Sequence, residues 1–199
     1  MRELLDFLPF VRPYAPAVPE PVAEAQVRNA AREFCEATKC WRIIDTIPVR
    51  GDEIEVLCVP PQATLHELER AIFNKVQLAP IAADQVDPEE EGDPHSIFQI
   101  QPNTVSITPR GASGFLTVSM FLKPSQDAEV LPAFLLDQWG EAIGHGALAR
   151  ILELPNQPYT DPNAAMRHRA LFERAKDSNF NASVRGQQRA PRRSRSRFL

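Results

Sequence analysis

The chain has 199 residues, 43% of them apolar and 24% charged, with a formal net charge of −4. That length suits one substantial core, or a core with an inserted subdomain, and argues against two large independent domains. Ordinary apolar content argues against wholesale disorder, and no run approaches the roughly 20 consecutive apolar residues that cross a bilayer.

The net charge hides an asymmetry. The last fifteen residues hold Arg185, Arg189, Arg192, Arg193, Arg195 and Arg197 and no acidic residue, which leaves −10 on the other 184. An acidic body with a basic arm suits contact with neighbouring macromolecules better than a freely diffusing metabolic enzyme. The N-terminal MRELLDFLPFVRPY carries acidic residues and early prolines where a signal peptide would be apolar, so synthesis and use in a cytoplasm are expected. Cys35, Cys40 and Cys58 leave an odd number with no paired framework, in keeping with a reducing compartment, where the sequon Asn181-Ala182-Ser183 carries no glycosylation meaning.

Residues 12–21 (RPYAPAVPEP) contain four prolines, and the N-terminal 20 residues are expected to form an extended, polyproline-like arm. Val27, Ala30, Ala31, Phe34, Cys35, Thr38 and Trp41 then recur at helical spacing behind a first-turn Pro21, which predicts a helix over 21–41. From residue 43 short runs rich in Ile, Val, Leu, Phe and Thr alternate with turn residues, predicting antiparallel strands at 43–49, 53–59, 98–100, 104–108 and 114–122. Residues 65–81 satisfy two templates. Leu65, Leu68, Ala71 and Ile72 fit a helix, whereas 71–78 read as a hairpin turning at Asn74-Lys75, and the strand reading is preferred. Residues 84–95 (DQVDPEEEGDPH) form an acidic, proline-containing loop.

Helical spacing returns behind Pro132 with Leu135, Leu136, Trp139, Ile143, Ala147, Ile151 and Leu154, until Pro155 stops it. Asp161 caps a third helix beginning at Pro162 and running to about 180, with Ala165, Met166, Phe172 and Ala175 inward. The final SVRGQQRAPRRSRSRFL offers almost no apolar surface to offset ordering entropy and is expected to gain structure only on a partner. Its terminal Phe198-Leu199 reads either as a plug for a partner's pocket or as a chain end without a role.

The expected fold is therefore α+β: a helical bundle of about three long helices with an inserted antiparallel β subdomain and extended N- and C-terminal arms. The corresponding division is an N-terminal arm at 1–20, a bundle built from 21–42 and 131–181, a β subdomain at 43–130 and a basic C-terminal arm at 182–199.

Catalytic and metal chemistry find little support. Cys35 and Cys40 stand five apart on the predicted helix and face different ways, while Cys58, His66 and His95 fall on separate segments, so no zinc set is expected. Gly111-Ala112-Ser113-Gly114 lacks the spacing of a nucleophile elbow, and Gly144-His145-Gly146 is not a phosphate loop. His145 and His168 read as ordinary helix-surface or interface residues. Asp87, Glu89, Glu90, Glu91 and Asp93 lack the ligand spacing of a calcium loop and read as a solvated loop. No catalytic residue, metal ligand or cofactor is assigned, and an enzyme is not expected.

Three stretches resemble tailed-bacteriophage head-to-tail connector (adaptor or neck) proteins. They are Val27-Arg28-Asn29-Ala30-Ala31-Arg32-Glu33-Phe34-Cys35-Glu36, then Leu122-Lys123-Pro124-Ser125-Gln126-Asp127-Ala128 leading to Leu131-Pro132-Ala133-Phe134-Leu135, and Trp139 through Pro158. The resemblance implies a virion structural protein at the neck between capsid and tail, made in the host cytoplasm. It implies a homo-oligomeric ring, twelvefold to match a portal protein above, with a tail or neck protein below and the DNA channel continued through it. The C-terminal arm would dock on the portal through Arg185, Arg189, Arg192, Arg193, Arg195, Arg197, Phe198 and Leu199. Glycine inside a helix costs about 1 kcal/mol relative to alanine, so Gly140, Gly144, Gly146 and Ala147 of the second helix call for a packing reason, either close approach within the chain, the more expected of the two, or lateral contact across the ring. The competing reading is a nucleic-acid-binding structural protein whose arginine-rich tail neutralises phosphates, including those of packaged DNA.

Overall fold

The computed structural model describes residues 1–87, 90 and 92–185, with side chains as far as 179 in the last helix. Three long helices are present: α1 (Glu20–Thr38), α2 (Ala133–Ile151) and α3 (Pro162–Arg185). Between α1 and α2 lie β2 (Arg42–Val49), β3 (Val56–Leu57), β4 (Ala63–Phe73), β5 (Val76–Pro80), β6 (Ser96–Phe98), β7 (Thr104–Thr108) and β8 (Gly114–Pro124). These seven form one sheet in the order β2-β8-β4-β5-β6-β7-β3. A second, two-stranded pairing joins β1 (Arg2–Glu3) to β9 (Val130–Leu131).

This is a mixed α/β fold in which a nearly closed, barrel-like sheet is a principal body, and the expected helical bundle with a β insert is corrected accordingly. The difference lies in how the strands join, in one seven-stranded sheet closed nearly into a barrel, and residues 65–81 take the strand reading preferred from the sequence. They form the greater part of an eleven-residue strand and a five-residue strand joined at Asn74-Lys75, whose φ angles of 45° and 75° make the tight hairpin turn. The added hairpin carries the sheet round from β8 to β6, and register shifts at Leu65/Glu67 and Leu68/Arg70 mark bulges that bend β4. The sheet is not wholly antiparallel either, since β5 pairs with β6 in parallel. Gly114 leaves room where the turn docks: a Cβ there would lie 2.3 Å from the end of the Asn74 side chain and displace it from the Phe115 N–H, which it accepts at 3.0 Å.

Alternation along β8 explains how sheet and helices share a core. Leu116, Val118, Met120 and Leu122 are all fully buried on one face, and they belong to the same hydrophobic cluster as Val27, Ala31 and Phe34 of α1 and Ile143, Ala147 and Ile151 of α2. Arg28 Nε and Arg32 Nη1 of α1 donate to the carbonyls of Ala128 and Pro124 at 2.7 and 3.1 Å, fixing the helix to the chain that leaves β8. Nine residues of α2 are buried on several sides of the helix, so it is the central rod, packed by α1, α3 and the N-terminal segment. It is kinked at Trp139, where φ is −132° and ψ 16°.

The expected N-terminal arm is a second correction. Residues 4–10 form a 3-10 helix, and Leu4, Phe7, Leu8 and Val11 recur at the i, i+3, i+4, i+7 spacing that places them on one buried stripe. Ala15 is buried beyond them. The prolines at 13, 16 and 19 shape the turns between this segment and α1; they do not hold it away from the body.

At the other limit of the sheet order, β2 has one edge unpaired among the described residues. The Thr46 N–H is bonded at 2.8 Å to the carboxylate of Asp45, and Pro48 has no N–H to offer.

Candidate functional site: a histidine pair between α2 and α3

Asp161 Oδ1 accepts the Ala164 N–H at 2.9 Å and caps α3, while Asp161 N–H donates to Leu152 O at 3.0 Å, so the turn after α2 sends α3 back along it. That return brings His168 against His145, with Nδ1 to Nδ1 at 3.0 Å and ring centroids 5.0 Å apart. Tyr14 from the N-terminal segment meets the His168 ring edge-on at 4.8 Å. Glu141, one turn before His145, places Oε1 3.8 Å from the opposite nitrogen, Nε2.

A hydrogen bond between two Nδ1 atoms needs one donor and one acceptor. With Glu141 beside His145 Nε2, we assign the proton of His145 to Nε2, so that its Nδ1 accepts from His168 Nδ1–H and leaves the His168 Nε2 lone pair free of a proton. Both rings are biased toward the neutral form. Burial lowers the His145 pKa against the opposing pull of Glu141, and burial, His145 and Arg167 together lower that of His168.

The pair lines a cleft of about 680 Å³ with Pro13, Tyr14, Tyr159, Arg167 and Leu171. Its walls can bind a proton and hydrogen-bond a polar group, but no serine, threonine or cysteine lies among its lining residues to act as a nucleophile. Among the described residues no group of three or more His, Cys, Asp or Glu side chains is placed to hold a metal ion. The two histidines stand 23 positions apart, and although Glu141 lies one turn before His145, no local signal in the sequence joins His145 to His168.

A second polar junction fastens the helices. Glu33 of α1 accepts from Arg150 of α2 at 2.5 Å and from Lys176 of α3 at 2.6 Å, and Lys176 also meets Glu173 at 2.9 Å.

The residues expected at a subunit interface find their packing reason inside the chain. A Cβ on Gly140 would lie 2.7 Å from the Phe10 ring, one on Gly144 2.5 Å from Phe10 Cβ, and one on Gly146 2.8 Å from Phe172 and 2.9 Å from Ala30. Ala147 is fully buried. The stripe is small because the N-terminal segment, α1 and α3 all approach α2 closely.

Of the residues assigned to portal docking, Arg185 is the last residue of α3, with its side chain outside the described residues. Arg189, Arg192, Arg193, Arg195, Arg197, Phe198 and Leu199 lie outside them altogether, as do Glu89 and Glu91 of the acidic loop. Glu90 of that loop pairs with His95 at 2.9 Å.

Cys35 and Cys40 also depart from expectation. The helix stops at Thr38 and Lys39 adopts φ 53°, so Cys40 swings back until its sulfur lies 3.8 Å from that of Cys35.

Comparison of the sequence with protein-family models and with curated proteins finds no match.

Proposed function

We propose that this chain is a non-catalytic structural subunit of a tailed-phage virion, a ring-forming head-to-tail connector. It would dock under the portal through its arginine-rich C-terminal arm, join capsid to tail and continue the DNA channel. The observation that carries this reading is the separation of charge: −10 over the first 184 residues and six arginines in the last fifteen. A basic arm is drawn to acidic protein surface, and the resemblance of residues 27–36, 122–135 and 139–158 to connector proteins supplies the context for such a partner.

Exposed apolar side chains support an assembling role. Ile54, Leu57 and Ile100, on or beside β3 and the β6–β7 turn, are 57%, 65% and 55% exposed, an arrangement that favours contact with another protein. With Gly140, Gly144, Gly146 and Ala147 buried inside the chain, lateral ring contacts would fall on surfaces of this kind.

The test is to mix the purified chain with portal rings of the same phage and image the product by electron microscopy. Rings on the portal axis are expected from the full chain, and none from a chain ending at residue 184. Normal attachment by the truncated chain would overturn arm-mediated docking. The six clustered arginines also favour a second reading, sequence-independent nucleic-acid binding. Salt-dependent retardation of bare DNA, lost with the arm and unaccompanied by portal binding, would select it.

A further inference from the structure

We propose that Cys35 and Cys40 form a thiol–disulfide exchange site, with Cys40 as the attacking thiol, Cys35 as the resolving thiol and a low-molecular-weight disulfide as the oxidant. On a continuous helix, side chains five apart would point about 140° away from one another. Here the left-handed Lys39, whose N–H donates to Cys35 O at 2.9 Å, ends α1 and folds Cys40 back over it. The two sulfurs stand 3.8 Å apart, so each has to move less than about 1 Å to reach disulfide bonding distance.

The two thiols are unequal in the way exchange requires. Cys35 is fully buried and Cys40 is half-buried, so an incoming disulfide meets Cys40 first. The contact with Cys35 lowers the Cys40 thiol from its ordinary pKa, against the effect of burial, whereas contact with Cys40 and burial push Cys35 well above. Cys58 is different: it is buried, its Sγ donates to Asn103 O at 3.2 Å, and burial raises its pKa.

The Cys40 thiolate attacks one sulfur of oxidised glutathione, the glutathione S–S bond breaks and one glutathione thiolate leaves. Cys35 then passes its proton to the departed glutathione thiolate, attacks the Cys40 sulfur and displaces the second glutathione as a thiolate, which takes up the proton that Cys40 had released. Two protein thiols are oxidised and one small disulfide is reduced to two thiols. The product staples the end of α1 to the start of β2. A natural occasion is release of a particle from a reducing cytoplasm into an oxidising medium. That occasion rests on the connector reading, while the chemistry of the pair does not.

The experiment incubates the natively folded full chain with oxidised glutathione, then denatures, alkylates and maps the cysteines by mass spectrometry. The wild type is expected to lose two hydrogens, carry a Cys35–Cys40 disulfide and be alkylated at Cys58 alone. Cys35→Ala should accumulate glutathione on Cys40, and Cys40→Ala should remain unmodified over the same time. Three alkylated thiols in the wild type, glutathione left on Cys40 unresolved, or a bridge to Cys58 would each overturn the proposal. The wild-type map decides even where a variant fails to fold, and a chain that forms no rings would leave it intact.

Discussion

Lys176 Nζ lies 2.6 Å from Glu33 Oε1, joining the last helix to the first across 143 positions of sequence. The lysine side chain is only 11% exposed and also lies over the Phe172 ring, 4.9 Å from its centroid. Burial raises the Glu33 carboxyl, but its hydrogen bonds with Lys176 and Arg150 outweigh that and hold it below the ordinary value. Glu33→Ala leaves Lys176 with Glu173 alone, and a loss of about 1–2 kcal/mol is expected, between the values typical of exposed and buried pairs. Urea denaturation checks it, as a lower midpoint at unchanged slope. Because the folded pKa is depressed, this contribution is present above the unfolded value near 4.5 and is lost as pH falls through the folded one.

The histidine pair predicts a separate pH dependence. Both folded pKa values lie below 6.5, so the unfolded chain takes up protons first. Stability is full above pH 6.5 and declines as pH falls from there toward the folded values. The groups facing the pair are Glu141 on α2, Arg167 on α3 and Tyr14 from the N-terminal segment. A His145→Gln, His168→Gln double variant should flatten this limb of the stability curve, measured by denaturation at successive pH values; an unchanged slope would show that other groups govern it.

Gly144→Ala tests whether the glycine stripe is internal. Helix propensity alone favours alanine by about 1 kcal/mol. The new methyl would stand 2.5 Å from Phe10 Cβ, an atom held by the backbone, so the N-terminal segment has to shift. A net destabilisation of about 1–3 kcal/mol is expected in the isolated subunit by thermal unfolding.

Phe7→Ala should cost about 3–5 kcal/mol, because the ring is fully buried in the common core. A mobile arm would tolerate the change within a few tenths of a kcal/mol, so the denaturation midpoint separates the two descriptions sharply.

What was legible in the sequence was mostly what local chemistry dictates. The helix expected over 21–41 is found at Glu20–Thr38 and that over 162–180 at Pro162–Arg185, with Asp161 as the cap. Asn74-Lys75 marked its turn because few residues other than glycine and asparagine accept positive φ. The architecture was misjudged in how the strands join, since a nearly closed sheet with a parallel β5–β6 pair depends on long-range pairing that no local pattern records. At 65–81, where Leu65, Leu68, Ala71 and Ile72 also satisfy a helical period, the chain takes the strand form preferred from the sequence, and pairing of β4 with the eleven-residue β8 shows why. The four prolines of 12–21 drew attention from the apolar stripe at 4, 7, 8 and 11 just before them. Neither the His145–His168 contact nor the Cys35–Cys40 contact could be read. The first depends on the register of two helices, and the second on a single left-handed residue at a helix end.

The finish of β2 governs how copies of this protein behave when crowded. A strand that adds to an exposed edge needs a row of backbone donors and acceptors, and here Pro48 interrupts the row while Asp45 has already claimed the amide of Thr46. Fibre-like growth by sheet continuation is thereby blunted at β2. Contacts made there lean on side chains, which can be matched to one neighbour and refused to others.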